Sequence, residues 1–236
     1  MTEEKVKKSA RIQITLLKFN DENFEEIGVD EAGRGPLFGR VYAAAVILPK
    51  DDSFNHSLMK DSKKFHSKKK IQEVADYIKQ NALAWAVCYE DEKTIDEINI
   101  LQASQSAMHK SIKEVVKKYS KNGKNTDTDK LKLLIDGNYF KPLTIIHSNM
   151  KIEQMEYTCI EGGDNKYSAI AAASILAKVE RDNYIDELCK EFPDLIEKYS
   201  LDSNKGYGAK KHLEGIKKYG ITIWHRRSFG ICKNYL

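Results

Sequence analysis

The chain has 236 residues, above the common domain size yet within reach of one enlarged domain, and long enough to bury a core without staples. A hydrophobic fraction of 41% with 31% charged residues and a formal net charge of only +4 excludes a polycation. No apolar run approaches the roughly 20 residues of a membrane helix. The charged N-terminus has no signal-like apolar stretch, and Cys88, Cys159, Cys189 and Cys232 lack CxxC spacing, so the expected setting is cytoplasmic with reduced thiols.

Met1 to Ala10 are expected to fray. Residues 12–19 have mixed strand character, and 24–30 (FEEIGVD) predict a short strand closed by a glycine-rich turn. The apolar run 41–48 (VYAAAVIL), ended by Pro49, predicts a buried strand. Residues 67–81 predict a helix, with Ser67 as N-cap and Ile71, Val74, Ala75 and Ile78 at helical spacing. A strand follows at 83–89, a long helix at 99–119 and a polar loop at 121–130. Strands at 131–136 (LKLLID) and 155–160 (MEYTCI) each end at glycine. The stretch from Tyr167 to about Phe192 predicts a long helix whose first half, SAIAAASILAK, is small enough to lie close against a sheet. Residues 191–236 look helical and basic, with an interruption at Gly206–Gly208. The order argues an α/β layer fold in one domain: a core of about 20–190 and a helical C-terminal extension of about 191–236.

Lysines cluster at Lys60, Lys63, Lys64, Lys68, Lys69 and Lys70, at Lys117, Lys118, Lys121 and Lys124, and from Lys205 to Arg227. Each cluster alone reads as solvated surface; together they suit phosphate contacts.

Four acids stand at strand ends beside glycine: Asp30 and Glu31, then Asp136, then Asp164. Ligands of open α/β sheets bind at the carboxyl ends of strands. Asp30, Asp136 and Asp164 converge if the first, fourth and fifth strands lie parallel and adjacent. Neighbouring strand residues point to opposite faces, so Asp30 and Glu31 are expected to share a site only if the strand stops between them. Converging carboxylates call for a hard divalent ion such as Mg²⁺ or Mn²⁺, and two ions would clamp a phosphodiester. Single acids at such positions are more often turn-formers and caps, but two adjacent acids followed by Gly33 and Gly35 suit no simple cap.

Gly28-Val29-Asp30-Glu31-Ala32-Gly33-Arg34-Gly35-Pro36-Leu37 resembles the opening motif of the ribonuclease HII family. Lys60-Asp61-Ser62-Lys63-Lys64, Asn99-Ile100-Leu101-Gln102-Ala103, Ile135-Asp136-Gly137 and Gly163-Asp164 through Ser168 with the helix to Asp182 continue the resemblance. Asn204-Lys205-Gly206-Tyr207-Gly208 and His225-Arg226-Arg227-Ser228-Phe229 are similar to its closing motifs. The resemblance spans about residues 27–229.

The resemblance implies a ribonuclease H-like fold, with a central mixed five-stranded sheet flanked by helices. It also implies two-metal hydrolysis leaving a 3′-hydroxyl and a 5′-phosphate. The expected substrates are the RNA strand of RNA–DNA hybrids and single ribonucleotides in duplex DNA, cut on their 5′ side, with roles in ribonucleotide excision repair and primer removal. Asp30, Glu31, Asp136 and Asp164 are the implied catalytic metal ligands. Gly33, Arg34 and Gly35 are the implied sensor of the ribose 2′-hydroxyl, the group that separates RNA from DNA. Tyr207 is the implied sugar-packing tyrosine, and Lys63 and Lys64 are candidate phosphate contacts. Ser62 and Ser174 read as local backbone partners or ligand contacts, and His225 as a structural histidine. Arg40 and Ala209 depart from the proline and threonine common at those positions in the family.

A ribonuclease HIII-like enzyme is disfavoured by the Gly33–Gly35 motif, by aspartate at 164 and by the short segment before the motif. An inactive hybrid-binding protein is disfavoured by four intact acids near phosphates. A multi-subunit eukaryotic-type enzyme is disfavoured by Ala43–Val46 and Asn99–Ala103, which look bacterial-type. The expected state is a monomer, without a clamp-docking motif in Ile231–Leu236.

Overall fold

The computed structural model describes residues 16–121, 130–146 and 152–235; the expectations for Met1–Ala10, for Lys124 and for most of the polar loop lie outside them. Five strands form a mixed sheet: β1 (Glu25–Ala32), β2 (Val41–Ile47), β3 (Ala84–Glu90), β4 (Leu131–Asp136) and β7 (Glu156–Ile160). Their order is β3-β2-β1-β4-β7, with β1, β4 and β7 parallel and β2 and β3 antiparallel. The first, fourth and fifth strands of the sheet are thus parallel neighbours, as the converging acids require. A two-stranded ribbon, β5 (Thr144–Ile146) with β6 (Ile152–Gln154), stands apart from this sheet.

Helices cover both faces. The 24-residue helix α3 (Ser168–Glu191) lies on one, where Ala169, Ala171, Ala172, Ala173 and Ala177 are buried against Ala44, Val46 and α1 (Lys68–Asn81). The approach is so close that a Cβ at Gly28 would sit 2.1 Å from the Ala169 carbonyl carbon; glycine in the strand and alanine on the helix are one packing solution. Helix α2 (Glu92–Lys121) covers the other face with Ala107, Met108, Ile112 and Val115. It starts earlier than the sequence suggests. Asn99 breaks it at φ +68, and its side chain accepts from the Gln102 N–H at 3.1 Å, capping the segment that does follow the predicted periodicity.

The C-terminal part holds α4 (Asp194–Tyr199), α5 (Leu201–Asn204) and α6 (Lys210–Tyr219), followed by a mostly non-helical tail. Leu195, Tyr199, Leu201, Ile216 and Cys232 share a core with Leu37 and Phe38 of the β1–β2 loop and Ile185 of α3. The chain after α3 is therefore packed onto the loop that carries the glycine motif. Among the described residues no helix is long and apolar enough to cross a membrane.

Candidate active site

The parallel register pairs Val29 with Ile135, so one residue further Asp30 and Asp136 stand side by side at the carboxyl end of the sheet. Both occupy the α3 side, because Ile27, Val29, Leu133 and Ile135 all fill the opposite core. The expectation that β1 stops between Asp30 and Glu31 is incorrect. The strand runs on through Ala32, with Asp30 paired to Ala44 and Glu31 to Ala43. Glu31 still lines the same cleft, on the stretch of β1 that runs past its pairing with β4, which ends at Val29.

A cleft of about 210 Å³ is lined by Asp30, Glu31 and Asp136, by Gly33, Ser62 and Lys63, by Ser174, Lys178, Arg181 and Asp182 of α3, and by Tyr207. Asp164 follows β7 in a tight turn and is buried, close enough to Asp136 for the two charges to interact, but it does not line the cleft. The Gly163 N–H of that turn donates to Asp136 Oδ1 at 2.7 Å. A larger groove of about 520 Å³ along α2, beside His109 and Lys141, contains none of the four acids; size does not mark this site.

The other sequence candidates separate. Lys63 enters the cleft, whereas Lys64 is turned to the Asn165 side-chain oxygen. Arg34 is half-exposed and pairs with Glu31 at 3.3 Å. Gly33 adopts φ +93, and a Cβ there would overlap the Arg181 side chain at 2.3 Å. A Cβ at Gly35 would meet only the Tyr207 ring, at 3.7 Å. Tyr207 is 50% exposed, its ring 5.6 Å from the Arg181 guanidinium. Ser62 and Ser174 bond each other at 3.0 Å rather than local backbone. Arg40 stays out of the cleft, stacked between the rings of Tyr89 and Tyr184 at 4.0 and 4.2 Å.

Sequence reasoning passed over Lys178, Arg181 and Asp182, although with Ser174 they recur four, seven and eight residues along one helix face. It also passed over Asp61 as an acid of the site. Asp61 shares the Asn165 side-chain amide with Asp164.

Burial, and then the charges of Glu31 and Asp136, raise the Asp30 carboxyl well above its ordinary range. Burial likewise raises Glu31 against the pull of Arg34, and raises Asp164 together with Asp61 and Asp136. Asp61 goes the other way: despite burial, the Lys63 N–H, Asn165 and the two lysines hold it low. The site is an all-oxygen set of desolvated, mutually repelling carboxylates, the chemistry that a hard divalent cation relieves. Asp30, Glu31 and Asp136, with Asp164 adjoining, are the residues that could hold one. Among the described residues no three such side chains are already drawn in around an ion position.

Solved structures share the fold. Ribonuclease H2 of Pyrococcus horikoshii superimposes with a TM-score of 0.64 at 21% identity over 89% of this chain and 96% of that one. Ribonuclease HII of Archaeoglobus fulgidus, solved in complex with PCNA, gives 0.62 at 22% identity over 88% and 96%. That fold, with paired acids at the carboxyl ends of adjacent parallel strands, is of the ribonuclease H class, and the family that the sequence matches makes it a metal-dependent endoribonuclease of that type, a family that acts on RNA–DNA hybrids. Within that class the chain belongs to the ribonuclease HII family, whose model matches residues 27–232. Ribonuclease HII of Phocaeicola vulgatus is 43% identical over 92% of this chain and 94% of its own. That of Bacteroides fragilis is 43% identical over the same shares. The resemblance read from the motifs therefore holds, and the sister-enzyme and binding-protein readings fall away.

Proposed function

We propose that this enzyme hydrolyses the RNA strand of RNA–DNA hybrids and cuts on the 5′ side of single ribonucleotides in duplex DNA. The products carry a 3′-hydroxyl and a 5′-phosphate, and the enzyme serves ribonucleotide excision repair and primer removal in the cytoplasm. The observation that carries this reading is the cleft in which Asp30, Glu31 and Asp136 meet Gly33 and Tyr207: hydrolytic acids and sugar-reading groups line one cleft.

Asp30, Glu31, Asp136 and Asp164 would hold two divalent ions, Mg²⁺ or Mn²⁺, which supply positive charge for water activation and for the leaving oxygen. Gly35, with only the Tyr207 ring near the place a Cβ would take, lets the backbone of Gly33-Arg34-Gly35 come close to a ribose and read its 2′-hydroxyl. Tyr207 packs on the next sugar. Lys63, with Lys178 and Arg181 behind it, faces the phosphates, and Lys64 reaches them only by leaving Asn165. The extension, sharing a core with Leu37 and Phe38, makes one domain with the catalytic core, and the enzyme works as a monomer.

The deciding assay uses two end-labelled substrates, a DNA duplex with one ribonucleotide and a continuous hybrid, each with Mg²⁺, Mn²⁺ or chelator. Cleavage 5′ of the ribonucleotide that chelator abolishes supports the reading; cleavage at deoxynucleotide positions, or in chelator, overturns it.

A further inference from the structure

Two adjacent residues after α6, His225 and Arg226, are buried and bond to two different segments that line the cleft, the tyrosine turn and the glycine loop. Arg226 directs all five guanidinium N–H groups at backbone carbonyls of one loop. Nε donates to Gly39 at 2.8 Å, Nη1 to Arg34 at 3.0 Å and Pro36 at 2.9 Å, and Nη2 to Gly33 at 2.6 Å and Arg40 at 3.1 Å. The loop wall is thereby fixed to position 226.

The tyrosine wall is fixed to position 225 by a chain whose direction is determined. The Thr222 backbone N–H donates to His225 Nδ1 at 2.9 Å, so that nitrogen carries the lone pair and the proton sits on Nε2. His225 Nε2 meets His212 Nε2 at 3.1 Å; one of the two must accept, so it is His212. The His212 proton is then on Nδ1 and is donated to the Tyr207 carbonyl at 2.8 Å. Both rings are buried, and neither touches the carboxylates or lines the cleft.

We propose that His225 is a positioning residue for substrate selection: through His212 it holds the Tyr207 turn at a set distance from the Gly33–Gly35 loop that Arg226 holds. The inference rests on the reading of Tyr207 as a sugar-packing residue. It explains why two imidazoles lie buried where no acid or ion pairs them, and why the ring of an exposed tyrosine keeps its place 3.7 Å from where a Gly35 Cβ would be.

The test compares kcat/KM on the single-ribonucleotide duplex and on the continuous hybrid for wild type, His225→Gln, His225→Leu, Tyr207→Ala and the Tyr207→Ala/His225→Leu pair. Glutamine keeps an amide N–H to give to His212; leucine does not. His225→Leu is expected to lower the ratio of the two values about fivefold, the rate equivalent of one lost hydrogen bond. His225→Gln keeps the ratio, and in the Tyr207→Ala background His225→Leu changes it no further. Equal losses on both substrates, or a ratio that ignores His225→Leu, overturn the proposal. If His225→Leu does not fold, His212→Asn against His212→Leu asks the same question, since asparagine retains a donor near the Nδ1 position. Should Tyr207→Ala itself leave the ratio unchanged, the tyrosine reading fails, and imidazole ¹⁵N shifts judge the relay separately. Protons on His225 Nε2 and His212 Nδ1 uphold it, and the opposite tautomers overturn it.

Discussion

Gly33 and Gly35 lie two residues apart and answer to different constraints. Gly33 is required by the protein itself, since its φ is +93 and the space its Cβ would take belongs to Arg181, whose Nε has no hydrogen-bond partner. Gly33→Ala should therefore destabilise the fold by about 1–3 kcal/mol, the usual cost of forcing a side chain into such a backbone, readable as a lower Cm in urea. Gly35 has only the Tyr207 ring near it, at 3.7 Å. Gly35→Ala should leave Cm close to wild type and lower kcat/KM, because the methyl occupies the space proposed for the ribose; an unchanged kcat/KM would remove Gly35 from the substrate site. Asp136 makes the corresponding case among the acids. It accepts from the Gly163 N–H, a bond an asparagine carbonyl can also accept, so Asp136→Asn should fold. It should nevertheless lose about 3–4 kcal/mol of transition-state stabilisation, two to three decades in rate. A divalent ion that binds only the native state raises the melting temperature, so Mn²⁺ should stabilise wild type and do so far less in Asp136→Asn. A folded variant with near-normal cleavage and an undiminished Mn²⁺ shift would remove Asp136 from the metal site.

At the scale of elements, the sequence was legible where one periodicity governs a whole segment. Strand β2 reads as an unbroken apolar run because both its faces are covered, all seven residues being buried. Helix α1 declares its start through Ser67, which accepts from the Lys70 N–H. The first turns of α2 were not legible: their residues 92–98 are mostly charged or polar, and the break at Asn99 looks like a beginning. The acids could be named from their motif, but their shared cleft takes in the stretch of β1 that runs past its pairing with β4, a register that appears only when strands pair. Helix α6 carries a departure of its own. Ala209 is its N-cap, with extended backbone at φ −68 and ψ 154 and no side-chain oxygen to satisfy the first turn. Ala209→Thr should supply that acceptor and raise stability by about 0.5–2 kcal/mol, seen as a higher melting temperature. Because neither Ala209 nor the first turn of α6 lines the cleft, the substitution should also leave cleavage intact; a threonine that stabilises nothing would mean the first-turn N–H groups are satisfied by water.

The whole molecule holds two populations of buried titratable groups that oppose each other as pH falls. Burial raises Asp30, Glu31, Asp164, Glu26 and Glu92. A carboxyl raised on folding costs stability at neutral pH, and that cost is relieved as pH falls through its folded value. Burial lowers His56, His109 and His212, and lowers His225 from 6.5 to about 3, with the neighbouring His212 adding to the effect. For a base lowered on folding, stability is full above the unfolded value near 6.5. It is lost as pH falls from there towards the folded value, because the unfolded chain takes up a proton that the native core refuses. The histidine loss sets in as pH falls below the unfolded value near 6.5, while the relief from each acid sets in at its own raised folded value and opposes that loss. Between pH 7 and pH 4.5 the His225 contribution alone should fall by about 2–3 kcal/mol, at roughly 1.4 kcal/mol per pH unit below 6.5. The clean measurement is a difference: urea unfolding of wild type and His225→Gln at both pH values. The acids and the remaining histidines are common to the two proteins, so wild type should lose about 2–3 kcal/mol more than the variant. Parallel losses would mean that His225 is protonated in the native state at pH 4.5, and the directed chain from Thr222 to Tyr207, which needs a lone pair on His225 Nδ1, could not persist there.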